Sequence, residues 1–178
     1  MTLPDQYKFL EKEPGPKILK EALSCYGIKE IPGPAHEKVI LAWADEIGGW
    51  IGDFYNSDEI PWCGLFIAVC AKRAGFPFGQ KALAAREWVG WGKRALYPSL
   101  GDVLIFQRTG GGHVGLYVGE DDSCFHVIGG NQGNTVSIVR IAKNRLLASR
   151  RCDWKVAQPD NVRKIVLGPH GPISEAEV

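Results

Sequence analysis

Residues 101–128, GDVLIFQRTGGGHVGLYVGEDDSCFHVI, decide the fold class. Val103-Leu104-Ile105-Phe106 is a short apolar run that reads as a buried strand. Residues 112–119 read as a second strand, with Val114, Leu116 and Val118 on a core face and His113, Gly115 and Tyr117 on the other. Residues 124–128 form a third. The turns between them are Thr109-Gly110-Gly111 and Glu120-Asp121-Asp122-Ser123, the second a solvated hairpin tip by composition. Downstream, residues 135–141 are rich in β-branched side chains, with Val136 and Ile138 on one face, and residues 146–151 offer a last strand.

Upstream the period is helical. Ile18, Leu19, Ala22 and Leu23 recur at helical spacing before Gly27. Val39, Ile40, Trp43, Ala44 and Ile47 do the same before Gly48-Gly49. Pro61 opens a third helix, with Leu65, Phe66, Val69 and Cys70 apolar and Gly75 as terminator. A shorter helix is expected over residues 82–91. Helices first and consecutive strands after predict an α+β domain with helices packed on a central antiparallel sheet. The expected division is an N-terminal extension over residues 1–14, a single domain over 15–154 and a loosely held tail over 155–178.

The chain has 178 residues, 45% of them hydrophobic and 23% charged, which suits a globular domain and not a disordered one. Lys plus Arg number 21 and Asp plus Glu 20, so the net charge is +1 and no strong basic field is available for nucleic acid. The longest uncharged apolar stretch, residues 60–71, is too short to span a bilayer, and residues 1–16 carry charges where a secretory signal needs an apolar core. Cytoplasmic synthesis, no membrane insertion and a monomer are the expectations. The five cysteines, Cys25, Cys63, Cys70, Cys124 and Cys152, have no CxxC spacing, so neither a disulfide framework nor a zinc site is expected. The acids at 120–122 do not make a calcium loop, and no metal or cofactor is expected.

Cys63 is the candidate nucleophile. It lies in the first turn of the third helix, where unpaired N–H groups and the helix dipole favour thiolate and where backbone amides can hold an oxyanion. Gly64 is expected to leave room for a substrate. Of the four histidines, His36 and His170 sit in Pro-Gly loops and read as solvated, whereas His113 begins a strand behind three glycines. The absent side chain of Gly115 is expected to let the helix start approach its imidazole. Asp58 is a candidate for holding a substrate amine, and Trp62 for walling a groove; a solvated loop and core filler are the plainer accounts.

Pro61-Trp62-Cys63-Gly64-Leu65-Phe66, Gly101-Asp102-Val103, Gly112-His113-Val114-Gly115 and Gly129-Gly130-Asn131-Gln132 occur in that order. The combination resembles the CHAP branch of the papain-like cysteine hydrolases, close to the NlpC-type peptidases and most of all to phage enzymes that cut peptidoglycan. The resemblance covers most of residues 15–151. It implies a papain-like fold, Cys63 attacking an amide carbonyl, and His113 forming a thiolate–imidazolium pair and protonating the leaving amine. It offers two residues to orient His113: Asn131, which is preferred, and His126, at the position of a second histidine in NlpC-type enzymes. The two have opposite parity along a regular strand, so one alone faces the site unless Gly129-Gly130 bulges. The glutamate many CHAP enzymes carry two residues before the Asn is Gly129 here.

The resemblance implies an endolysin-like hydrolase acting on bacterial peptidoglycan, as an endopeptidase or an N-acetylmuramoyl-L-alanine amidase. It would reach the cell wall through a holin, tail delivery or a secretion machine. The alternatives are a non-catalytic phage tail or binding module that keeps the fold, and a secreted antibacterial toxin of the same chemistry. A cytosolic thiol acyltransferase fits the chemistry but not the motif order.

Overall fold

The computed structural model describes residues 2–33, 35–154, 157–171 and 173–174. Four α-helices come first: α1 (Lys17–Ser24), α2 (Lys38–Ile47), α3 (Gly49–Phe54) and α4 (Cys63–Ala74). Six strands follow: β1 (Lys93–Arg94), β2 (Val103–Arg108), β3 (Gly111–Glu120), β4 (Cys124–Gly129), β5 (Ser137–Ala142) and β6 (Leu146–Arg151). They form one antiparallel sheet in the order β1-β6-β2-β3-β4-β5. The α+β class is therefore as the period change at residue 101 predicts. The short strand β1 and the short helix α3 carry too little periodicity to be read in advance, and the helix expected over 82–91 is a 3-10 turn, Ala85–Gly90.

Alternation along the strands divides the core in two. Val103, Ile105, Val114, Leu116, Val118 and Ile128 pack with the helices, against buried residues of α4 such as Leu65 and Phe66. Leu104, Phe106, Tyr117, Phe125, Val127 and Ile141 make a smaller cluster. Helix α4 is buried from Cys63 through Ala71, which explains its nearly uniform apolar sequence. It ends as expected at Gly75, whose φ of 81° closes the last turn in the left-handed region. Its start is two residues later than Pro61, with Trp62 as the capping residue.

The chain ends are built into this core. A 3-10 helix, Asp5–Lys12, buries Tyr7 and Leu10. Beyond β6, Leu167 and Glu120 are joined by N–H to carbonyl bonding and Ser174 donates to the Arg140 carbonyl, with parallel bridges Glu120↔Val166 and Arg140↔Ile173. The described part of the tail is thus tied to the sheet, contrary to a loose attachment; residues 175–178 lie outside the described residues. The N-terminal extension likewise packs as part of the one core.

The 120–123 turn is solvated only in part: Asp122 and Ser123 are exposed, but the two acids before them are not. Glu120 and Asp121 are both 7% exposed. Glu120 pairs with Lys143 and Lys164. Asp121 accepts from Arg140 Nε at 2.8 Å, from the Ser123 and Cys124 amides, and from His126 Nε2 at 2.9 Å. Arg140 foremost, opposed by burial and joined by Ser123 and His126, holds the Asp121 carboxyl far below the usual carboxylate range. A depressed folded-state pKa stabilises above the unfolded value near 3.9 and is lost as pH falls through the folded value. Asp121→Asn should therefore cost about 3 kcal/mol at neutral pH, since it strands the buried charge of Arg140. Thermal melts should show that difference shrinking below pH 4, and an equal gap between the two proteins at pH 3 and pH 7 would contradict it.

Candidate active site

The start of α4 meets the sheet where β3 and β4 part. These strands pair only from Leu116↔Ile128 onward, so the His113-Val114 end of β3 has no β4 neighbour in its ladder. The Cys63 sulfur lies close enough to the backbone N–H groups of Val114, Gly64 and Cys63 itself for them to favour its anion. A thiol at a helix start is thus set beside the residue that follows His113. Two glycines allow the approach. A side chain on Gly130 would collide with Trp62 and Phe66 of α4 at 2.7 Å, and one on Gly129 would lie 2.7 Å from Gln132 Oε1 and 3.2 Å from His113 Nε2.

His113 is fully buried. Its Nε2 lies 2.9 Å from Gln132 Oε1. The orientation of that amide follows from its other end, where Gln132 Nε2 donates to the carbonyls of Ser137 at 2.6 Å and Val127 at 3.2 Å. Oxygen must therefore face the ring, and oxygen can only accept, so His113 carries a proton on Nε2. Gln132, not either residue offered for the role, orients His113.

Asn131 precedes it in the left-handed region, at φ 58°, and its buried Oδ1 has no hydrogen-bond partner among the described residues. His126 is committed elsewhere: Tyr7 Oη lies 2.7 Å from its Nδ1, and Asp121 occupies Nε2. It is neither turned outward nor beside His113. Strand parity between Asn131 and His126 does not apply, because β4 ends at Gly129 and the chain then reverses through positive-φ positions. A buried glutamine at the end of GGNQ was the available signal.

Other expectations also change. The Gly64 side of the helix offers no space to a substrate, because the backbone carbonyls of Ala82 and Leu83 press against it. Gly115 is kept small by Val127 Cγ1 and the Ile128 carbonyl, not by the helix start. Asp58 is fully buried and accepts from the Ile31 and Glu37 amides at 3.0 and 2.7 Å, with His36 Nδ1 at 2.9 Å. Burial opposes its charge, but these donors hold its carboxyl below the ordinary range, and they leave it pinning the 31–37 loop and not facing a substrate. Trp62 is likewise fully buried, donating to Glu30 and packed on Trp43 at 6.0 Å, so it walls no groove.

Cys63 keeps 8% exposure, a narrow opening. Burial pushes its thiol up, against the three amides and the positive charge of Arg108, both of which pull it down. The helix start therefore does not yield a standing thiolate. All five cysteines are buried free thiols. Among the described residues no cluster of His, Cys, Asp and Glu has the arrangement to hold a metal, and no helix is long and apolar enough to cross a membrane.

No family model matches the chain, and no curated protein emerges as a relative.

Alkylation of Cys63 by iodoacetamide, followed by peptide mass, should keep accelerating above pH 9, as a thiol raised by burial requires. A rate already level between pH 5 and 7 would mean a preformed ion pair.

Proposed function

We propose that this protein is a cysteine-dependent hydrolase of bacterial peptidoglycan, built on a papain-like fold of the CHAP and NlpC type. The observation that carries the reading is the conjunction of a helix-start cysteine, set near the Val114 amide, with a strand histidine next to Val114 in sequence whose Nε2 is held by the Gln132 amide. The ordered motifs around them supply the substrate class by resemblance.

With Nε2 bonded to Gln132, Nδ1 of His113 is the nitrogen that acts as base in this reading. As Sγ of Cys63 attacks the amide carbonyl, the thiol proton passes to the imidazole, which makes attack by a protonated resting thiol feasible. The backbone amides around Cys63 supply hydrogen bonds to the developing oxyanion. The imidazolium then protonates the leaving amine, and a thioester remains. Water, deprotonated by the same imidazole, attacks that thioester, releases the carboxylate and restores the thiol. The bond cut is a peptide crosslink or stem amide, or the muramoyl-L-alanine amide. Delivery to the wall falls to a holin, a phage tail or a secretion machine, and an antibacterial toxin is the nearest variant of the same chemistry.

The narrow exposure of Cys63 favours a second reading, a phage tail or binding module that keeps the fold without turnover. Lysis separates them. Wild-type protein should clear a suspension of permeabilised Gram-negative cells, Cys63→Ala should be inactive, and His113→Ala should lose about 10²- to 10⁴-fold, the usual share of a general base. Gln132→Ala should fall between wild type and His113→Ala. Equal clearing by wild type and Cys63→Ala would end the enzyme reading, and new free amines in the released muropeptides would identify the amide cut.

A further inference from the structure

A cavity of about 340 Å³ opens behind the site, lined by Phe78, Trp88 and Trp91 with Lys81 and Glu87 among its polar residues. Its wall is shared with the catalytic helix: Ala82 lines the cavity, and the Ala82 carbonyl presses on Gly64, the neighbour of Cys63. A second cavity, of about 330 Å³, shares Phe78 and Gly79 with the first and adds Trp50, which is 49% exposed. The two therefore adjoin as parts of one groove lined by aromatic rings, suited to a chain-like ligand.

The indoles are fixed. Trp50 Nε1 donates to the Gln80 carbonyl at 3.1 Å, Trp88 to Ala82 at 2.9 Å and Trp91 to Pro77 at 2.7 Å. Trp88 is buried and backs Trp91 at 5.7 Å. With their N–H groups committed to the backbone, the exposed Trp50 and half-buried Trp91 have only faces and edges to offer. That disfavours a proline-rich peptide, whose carbonyls need such donors, and favours the apolar C–H face of a pyranose. Lys81 and Glu87 supply a donor and an acceptor for hydroxyl or acetamido groups.

Two glycines on the groove carry a separate message. Gly79 and Gly90 have nothing within 4 Å of where a side chain would begin, and neither has the positive φ that requires glycine. Packing and backbone geometry leave both positions free to be larger. Side chains there would fill the groove.

We propose that this groove is a saccharide subsite that binds a β-1,4-linked amino-sugar chain by stacking pyranose rings on Trp91 and its neighbours. Its natural ligand, the glycan strand of peptidoglycan, rests on the function proposed above; sugar binding itself does not.

Chitotetraose is the probe, titrated into the full-length Cys63→Ala protein by calorimetry and tryptophan fluorescence. Saturable binding is expected, weakened at least tenfold in Gly90→Leu and in Trp91→Ala, each on the Cys63→Ala background. Gly90→Leu should melt as its parent does, which keeps the test independent of any destabilisation by Trp91→Ala. No saturable response up to about 10 mM sugar, where even a millimolar site would fill, would overturn the proposal. So would undiminished binding by Gly90→Leu, or binding of a proline-rich peptide in place of the sugar. Sugar binding without Cys63-dependent lysis would remove the enzyme reading alone, and Cys63-dependent lysis without sugar binding would remove the subsite alone.

Discussion

The side-chain amide of Gln132 is the constraint on which the rest of the site depends. Its nitrogen donates to the Val127 and Ser137 carbonyls of β4 and β5, so its oxygen has one direction left. That direction is His113 Nε2. One amide therefore ties the ends of two strands to the imidazole on a third and selects the ring tautomer. Two glycines are consequences of it: Gly129 must leave room for the amide and the ring, and Gly130 must let the same loop lie against Trp62 and Phe66. Only with both small can the reversing chain lie between the sheet and the start of α4.

At that helix start, two effects of opposite sign act on Cys63. Three backbone amides and a distant guanidinium favour the anion, while removal from water favours the neutral thiol. Burial wins, because a sulfur enclosed by Val114 and the first turn of α4 loses its hydration while the amides restore only part of it. The dipole argument from sequence was right about the direction of one contribution and silent about the larger one. Depth of burial belongs to the packed chain, and no spacing within a helix encodes it.

Local periodicity carried what could be read in advance. Alternation in β2 to β5 and the apolar run of α4 are properties of single segments, and they set the class of the fold and the element bearing each of Cys63 and His113. Contacts between segments were less legible. Asp58 reads as a loop acid until three donors from residues 31–37 are seen to close on it. Asp121 reads as a turn acid until Arg140 and His126 fold back from β5 and β4. The resemblance offers Asn131 and leaves Gln132 unweighed; the left-handed turn at Asn131 lies outside any regular strand, so which side chain meets His113 belongs to the loop.

The commitment of His126 has a chemical consequence. Its ring is enclosed between Tyr7 and the Asp121 carboxylate, so Asp121 is engaged by His126. At Nε2, His113 has the side-chain amide of Gln132. A carboxylate at Nε2 would favour imidazolium at rest and draw the proton from Cys63 before substrate arrives; an amide gives orientation without that charge. Burial raises the Cys63 thiol, which favours a protonated sulfur at rest. In the proposed reaction, charge separation then occurs as the carbon–sulfur bond forms, when an oxyanion is present for the surrounding amides to bind. The neutral partner and the buried thiol are two parts of one arrangement, in which proton transfer accompanies attack.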